Sequence, residues 1–457
     1  MNIILPEQVK HIIGRLEEAG FEAYAVGGCV RDSIIGREPD DWDITTSAKP
    51  QQVKALFDRT VDTGIAHGTV TVMLDKTGYE VTTYRIDGEY ADSRHPKEVS
   101  FTDNLTEDLR RRDFTVNAMA YSESRGLIDV FGGIRDLQEG IIRCVGNAQE
   151  RFSEDALRIL RAVRFSAQLG FSIEEETQAA ARNMAGNLKN ISAERIQGEL
   201  VRLLVSPHPE ILGKAYELGI TAVVLPEFDA MMQTPQHHKH HIYNVGEHTL
   251  KALEYSEPDR IIRLAVLCHD FGKPASRTTK DGVDHFYGHP AISEELAGRM
   301  LRRLKFDNDT IRKVKALVRL HDAKPPLNDG TAEKLRSGGR AVSERSVRRL
   351  VYRCGKELFP ALMQVCGADV LAQSDYRKTE KLLLLEQMYD IYEEILQKEE
   401  CLSLKELAVS GRDLIGAGIA PGKEIGEILE RMLEDVLDEP QHNTREYLMD
   451  TYVGGRR

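Results

Sequence analysis

The sequence predicts an α+β protein, with a head of mixed β-sheet and helices followed by all-helical parts. Three observations carry that expectation. Short β-like runs alternate with turns over the first 145 or so residues. From about Glu150 the apolar residues recur at helical spacing. After Ser206-Pro207 no segment reads as a strand.

In the head, residues 21–26 read as a strand, Gly27-Gly28 breaks it, and a short helix starts near Val30. Residues 42–46, 69–74 and 79–85 repeat the β signature, β-branched runs bounded by Gly, Asp or Pro. Ala156, Leu160, Val163 and Ala167 then fall on one helical face, with Ser153 as the expected N-cap and Gly170 as the stop. Ser192 opens another helix over 193–205. Helical patterns continue at 246–256, 258–270, 290–305, 308–321, 343–353, 377–397 and 423–437. The soft joints are 231–241, rich in Gln and His, and 324–339, rich in Pro, Gly and Asp. These breaks divide the chain into 1–145, 146–232, 233–375 and 376–457.

The 457 residues, 41% hydrophobic and 29% charged, suffice for two to four packed domains. Charge interrupts every long apolar run, so no membrane span is expected. The N-terminus lacks the pattern of a signal peptide, and the six cysteines form no C-x-x-C pair. A reducing, cytoplasmic setting is the expectation. The net charge of −12 places any nucleic-acid contact on a local basic patch.

The densest chemistry is Gly27-Gly28-Cys29-Val30-Arg31-Asp32, followed at once by Asp41-Trp42-Asp43. Paired glycines at a strand-to-helix turn let backbone N–H groups approach an anion, and Arg31 can add a bidentate phosphate contact. Asp41 and Asp43, two apart in a β-like run, point to one face. Two carboxylates there suit Mg²⁺, which prefers carboxylates together with substrate phosphates. Asp-x-Asp by itself is more often a pair of solvated edge residues; the neighbouring glycines and arginine change that balance. Glu80, opening a strong β run, is the third carboxylate expected, with an exposed edge glutamate as the bland alternative.

A second group places Asp155, Arg158, Arg161 and Arg164 three apart along a helix. The arginines could line a triphosphate or an RNA backbone. Asp155 beside Arg158 offers an acceptor next to a donor, which fits the edges of both cytosine and adenine. Helix-dipole stabilisation plus a solvated basic stripe is the simpler alternative. Arg110-Arg111-Arg112-Asp113 adds another basic cluster.

Five ordered segments now carry a resemblance. They are 27–32 with 41–43, 111–120, 129–133, 154–165 and 191–196. Together they resemble the class II tRNA nucleotidyltransferases, the CCA-adding enzymes, of the poly(A)-polymerase-like superfamily. The resemblance implies Asp41 and Asp43 as Mg²⁺ ligands, and Gly28, Arg31 and Arg112 on the nucleotide phosphates. It assigns base reading to Asp155, Arg158, Arg161 and Arg164, and neck stabilisation to 191–196. The partners implied are CTP, ATP and the tRNA 3′ end. Thr63-Gly64-Ile65-Ala66-His67-Gly68-Thr69 lacks the basic pair of the sibling poly(A) polymerases. A loop at 87–96 argues against addition of the two cytidines alone, while addition of only the terminal adenosine stays open.

In the helical half, Cys268-His269-Asp270 ends an apolar helix, with His248 upstream and His289, His321-Asp322 and Asp369 downstream. Imidazoles and carboxylates from successive helices suit a divalent transition metal. This pattern resembles the HD phosphohydrolase superfamily, which implies His248, His269, Asp270 and Asp369 as ligands and His289 and His321 as second-metal or phosphate-binding extras. Phosphohydrolysis as the main activity is the competing reading. The run His237-His238-Lys239-His240-His241 is expected to be a solvated loop near a domain joint.

Overall fold

A computed structural model describes residues 3–87 and 99–454. It divides into two compact units, Met1–Pro226 and Glu227–Arg457. The expected loop at 87–96 lies outside the described residues beyond Asp87.

The first unit opens with the helix Glu7–Glu18, whose Val9, Ile12, Ile13 and Leu16 are buried at three- and four-residue spacing. A seven-stranded sheet follows. Its order is Thr60–Gly64, Thr69–Leu74, Thr77–Thr83, Ile44–Thr46, Ala23–Val26, Met119–Ser122, Gly126–Asp129. Every neighbouring pair is antiparallel except Ile44–Thr46 with Thr77–Thr83, so the sheet is mixed as expected. Ala23–Val26 is buried along its whole length, which suits a central strand of Ala, Tyr and Val. The strand expected over 42–46 is shorter, Ile44–Thr46, and both aspartates stand in the lead-in before it.

Beyond the sheet the unit is helical apart from two short strand pairs, Arg85–Asp87 with Val99–Phe101 and Ile141–Ile142 with Ser172–Ile173. Leu157–Leu169 ends at Gly170 in the left-handed conformation, as its sequence predicts. The expected N-cap is corrected: Ser153 sits in a separate helix, Ala148–Glu154, and Ala156 occupies the cap position. Ala193–Leu204 packs against Leu157–Leu169.

The second unit is almost all helix. Val245–Tyr255, Arg260–Cys268, His289–Arg303, Asn308–Leu320, Glu344–Cys354, Lys378–Gln397 and Lys423–Asp438 each match an expected segment. Two differences matter. Arg277–Lys280 and Val283–Phe286 form an antiparallel hairpin where no strand was expected, because Asp281-Gly282 supplies a turn with positive φ at both residues. The helix Phe359–Leu371 was not anticipated; it is apolar on nearly every side, so no amphipathic period marks it. The proposed joint at 324–339 also contains a helix, Asp329–Arg336. Among the described residues no helix is long and apolar enough to cross a membrane.

One core group in the first unit packs Tyr84 with Tyr24, Val26, Leu105, Leu109 and Ala120. The Tyr84 hydroxyl is buried without a hydrogen-bond partner, and burial raises its pKa. Removing a stranded hydroxyl relieves its desolvation cost, about 1 kcal/mol or more. Tyr84→Phe is therefore expected to leave stability unchanged or higher by thermal denaturation, and a clear loss contradicts this.

Candidate functional site

The first site is assembled by strand pairing. The parallel register Ile44↔Val81 sets Asp43 and Glu80 side by side, one residue before each paired position. The backbone of Asp43 is anchored by Val26, whose N–H donates to its carbonyl at 3.0 Å. Asp43 is exposed, yet its carboxyl pKa is raised, first by desolvation, then by Asp41, with a further push from Glu80; Arg112 opposes. The three expected carboxylates therefore lie near enough to act on one another, and such like charge favours a cation.

Arg112 is placed by a network that sequence reasoning missed. Asp108 is fully buried and held in its charged form against desolvation by Arg111 and Arg112. It takes bonds from Arg111 Nη2 at 2.8 Å and Thr45 Oγ1 at 3.1 Å, and lies 3.9 Å from Arg112 Nη2. Thr45 follows Asp43 by two residues, so Asp108 ties the arginines to the strand that carries the carboxylates. The guanidinium of Arg112 crosses Gly27: a Cβ there would sit 2.9 Å from Arg112 Nη1. Gly27 also has φ +84°, so glycine is required on both counts.

Gly28 begins the short helix Gly28–Ile34. Arg31, expected on a phosphate, is buried; it donates to Asp32 Oδ1 and Oδ2 at 2.9 and 2.8 Å and to Asn117 Oδ1 at 2.6 Å. Its guanidinium carbon also lies 5.3 Å from the Phe165 ring. In this structure Arg31 joins the turn to the Leu157–Leu169 helix.

That helix stands against the head. Arg158 donates to the Arg111 carbonyl at 2.8 Å and to the Arg151 carbonyl at 3.1 Å, and it pairs with Glu154. Asp155 is gripped by Arg195, whose Nη1 and Nη2 reach Oδ1 and Oδ2 at 3.2 and 2.7 Å. Arg195 belongs to the 191–196 segment, so that segment fixes the orientation of Asp155. The remaining arginines of the stripe turn inward. Arg161 donates to Asp113 Oδ2 at 2.8 and 2.6 Å. Arg164 is buried, donates to Glu199 Oε2 at 2.6 Å, and has its pKa lowered to about 10, chiefly by burial. The arginine expected on a triphosphate or RNA is thus, for Arg164, a core residue with its own counter-ion. Glu199, buried on an otherwise apolar helix face, was its legible partner.

A second site lies in the helical unit. His248, His269 and Asp369 offer ligand atoms within 4.8 Å of one another, and so do Asp270, His289 and His321. All six are buried. His248 Nε2 is 3.1 Å from Asp369 Oδ1, and His289 Nε2 is 3.2 Å from His321 Nε2. Each ring turns Nδ1 to a backbone carbonyl: His269 to Val266 at 2.6 Å, His321 to Val318 at 2.7 Å, His289 to Phe286 at 2.9 Å, His248 to Ala372 at 3.4 Å. That arrangement makes Nδ1 the protonated nitrogen and aims the Nε2 lone pairs into the cluster. His269 Nε2 and both Asp270 oxygens are buried without a hydrogen bond, while Lys273 and Lys324 form ion pairs with Asp270 and Asp369. Burial lowers His321 to about 3, so it stays a neutral donor.

The histidine run at 237–241 is corrected by its surroundings. His237 is bound to Asp284 through its backbone N–H and its Nδ1, at 2.8 and 2.9 Å. His238 stacks on His240, and the ring of His241 is 5.4 Å from that of His248. Instead of a free loop, the run forms one wall of a cavity of about 750 Å³ that reaches Asp270, His289, His321 and Asp369.

Comparison with known proteins follows the same division. Residues 23–143 match the poly A polymerase head domain family, and 286–452 match tRNA nucleotidyltransferase domain 2. Residues 170–232 match a family described as "Probable RNA and SrmB- binding site of polymerase A". The chain is 36% identical over 423 residues to the CCA-adding enzyme of Levilactobacillus brevis, covering 93% of this chain and 91% of that one. It is 35% identical to the CCA-adding enzyme of Limosilactobacillus fermentum, covering 94% and 92%. The Bacillus stearothermophilus CCA-adding enzyme, solved in complex with CTP, superposes with a TM-score of 0.72 at 28% identity and 98% coverage of both chains.

Asp113 offers a test of the first site's scaffold. It is buried, and Arg161 and Arg158 hold its pKa at about 2 against desolvation. A carboxylate depressed in the folded state stabilises fully above its unfolded pKa, near 4, and loses that contribution as pH falls towards 2. Stability measured from pH 5 to 2 should fall less steeply in Asp113→Asn, by up to about 1.4 kcal/mol per pH unit. Identical slopes contradict the assignment.

Proposed function

The chain belongs to the CCA-adding enzyme family, and from that premise we propose the residues that perform its reaction. It is a nucleotidyltransferase that adds CCA to the tRNA 3′ end from CTP and ATP, using Mg²⁺. The strand register that sets Asp43 beside Glu80, with Asp41 and Glu80 both raising the Asp43 carboxyl, is the observation that carries the assignment. Asp41 and Asp43 are the Mg²⁺ ligands, and the crowding of like charge that raises Asp43 is what a divalent cation would relieve. Glu80 completes the cradle. Bound there, Mg²⁺ would lower the cost of forming the attacking alkoxide and of the departing pyrophosphate.

The protein's own groups do the rest. The tRNA 3′-oxygen attacks the α-phosphorus, the bond to the pyrophosphate oxygen breaks, and pyrophosphate leaves in line. Arg112, suspended over Gly27 by Asp108, takes phosphate charge, and Gly28 lets the backbone approach it. Asp155 and Arg158 read the base: Asp155 accepts from the exocyclic amino group that cytosine and adenine share, and Arg158 donates to the ring acceptor. Arg161 and Arg164 brace that pair through Asp113 and Glu199. The neck and tail follow as helical parts, with boundaries near 145, 232 and 375.

A second reading adds to the first. The paired triads in the helical unit support an HD-type centre, in which His248, His269, Asp270 and Asp369 would hold one divalent transition metal, with His289 and His321 as second-metal or phosphate-binding extras. The buried Asp270 carboxylate, beside Lys273, and four preset imidazoles fit such an ion. A metal there would supply hydroxide for phosphoester hydrolysis. The expected cytoplasmic setting accords with a tRNA substrate.

Labelled NTPs offered singly and in sequence to tRNA lacking its terminal triplet test the main assignment. The expected product gains C, then C, then A, with no incorporation from UTP or GTP. Asp41→Ala and Asp43→Ala should keep their circular dichroism spectra and lose incorporation by at least about a thousandfold. Extension with ATP alone favours a poly(A) or A-adding enzyme, and activity in Asp43→Ala overturns the ligand assignment.

A further inference from the structure

The hairpin Arg277–Lys280/Val283–Phe286 is unexplained by tRNA extension, and it leads directly into the second site. His285 and Tyr287 stack with ring centroids 5.4 Å apart and planes within 7°, yet Tyr287 remains 76% exposed. The pair is rigidly mounted. Asp284, buried at 2% exposure, binds Arg277 Nε at 3.0 Å, Thr279 Oγ1 at 2.6 Å and the His237 backbone N–H at 2.8 Å. The Phe286 carbonyl accepts from His289 Nδ1 at 2.9 Å. Tyr287 is two residues from His289, so their Cα atoms are at most about 7 Å apart. Both aromatic rings line the same cavity as Lys273, Lys324 and Lys381. An exposed, flat aromatic surface on a cavity that also holds Lys381 and the pairs Lys273–Asp270 and Lys324–Asp369 matches a ligand with a flat base and a phosphate.

We propose that Tyr287 and His285 form a base-stacking platform, through which the second site takes nucleoside phosphates. The inference rests on the HD-type reading of that site and adds the element that selects its ligand. The phosphate enters beside Lys381, next to the buried histidine–aspartate cluster, and the base stays at the mouth against Tyr287. A phosphate ester without a base gains nothing from the hairpin, whereas base–aromatic stacking favours the nucleotide by about tenfold or more.

The test is photo-cross-linking of 8-azidoadenosine 5′-monophosphate to the full chain in Mn²⁺, with labelled peptides mapped by mass spectrometry. Label is expected at 283–287, displaced by AMP at about tenfold lower concentration than by ribose 5-phosphate. Label in the nucleotidyltransferase head falls on peptides before Pro226 and serves as the internal control. Tyr287→Ala should remove the hairpin label and the advantage of AMP while leaving head label and bound Mn²⁺ unchanged; Tyr287→Phe should retain both. With AMP ahead of ribose 5-phosphate, stronger displacement by AMP identifies a free nucleotide as the ligand, and stronger displacement by a 3′-phosphorylated oligoadenylate identifies an RNA end; either supports the platform. Label confined to the head, or equal displacement by AMP and ribose 5-phosphate, overturns it. His269→Ala separates the two readings. Mn²⁺ bound per chain should fall in that variant, and if it does while no hairpin label forms, the platform fails and the metal centre stands. A hairpin label with Mn²⁺ unaffected by His269→Ala leaves the platform standing and refutes the metal centre.

Discussion

Electrostatic crowding at the end of one parallel strand pair governs the head. Ile44–Thr46 beside Thr77–Thr83 forces Asp43 and Glu80 together, and Asp41 joins them from the lead-in. Such a group is costly without positive charge, and the chain invests heavily in supplying it. Asp108, itself buried, holds Arg111 and Arg112 beside the cluster, and Gly27 gives Arg112 the room to cross. Arg111 and Arg112 lower the Asp108 carboxyl, whereas at Asp43 desolvation and the neighbouring Asp41 outweigh Arg112 and raise it. A divalent ion bound there would complete the neutralisation that the arginines begin.

The same logic extends from the head into the helix proposed to read the base. Arg158 bonds the Arg111 carbonyl and Arg161 bonds Asp113, so the Arg111-Arg112-Asp113 segment is shared between the proposed phosphate cradle and the proposed base reader. Arg195 presets Asp155 from the other side. Nucleotide choice without a nucleic-acid template demands this rigidity, because discrimination by one acceptor and one donor fails if either can swing.

Local patterns made much of this legible. Alternating β-branched runs located four of the seven strands of the head sheet but not Thr60–Gly64, Met119–Ser122 or Gly126–Asp129, and helical periodicity located seven helices of the second unit within a few residues. What stayed hidden depends on long-range partners. No pattern within 154–165 says that Arg164 faces Glu199, 35 positions later, in place of a ligand. The apolar helix Phe359–Leu371 carries Asp369 yet has no amphipathic period, so only the resemblance pointed to that residue. The histidine run at 237–241 looked solvated because Asp284, which binds it, sits on a hairpin of Thr, Lys and His residues with little strand character. Asp281-Gly282 was the overlooked signal for that hairpin.

The most direct test of the central claim is anomalous diffraction from crystals soaked with Mn²⁺ and a non-hydrolysable CTP analogue. The account expects Mn²⁺ peaks coordinated by Asp41 and Asp43, with Glu80 beside them and the analogue's phosphates against Arg112. Phosphates bound at Arg112 with no Mn²⁺ between Asp41 and Asp43 would contradict it.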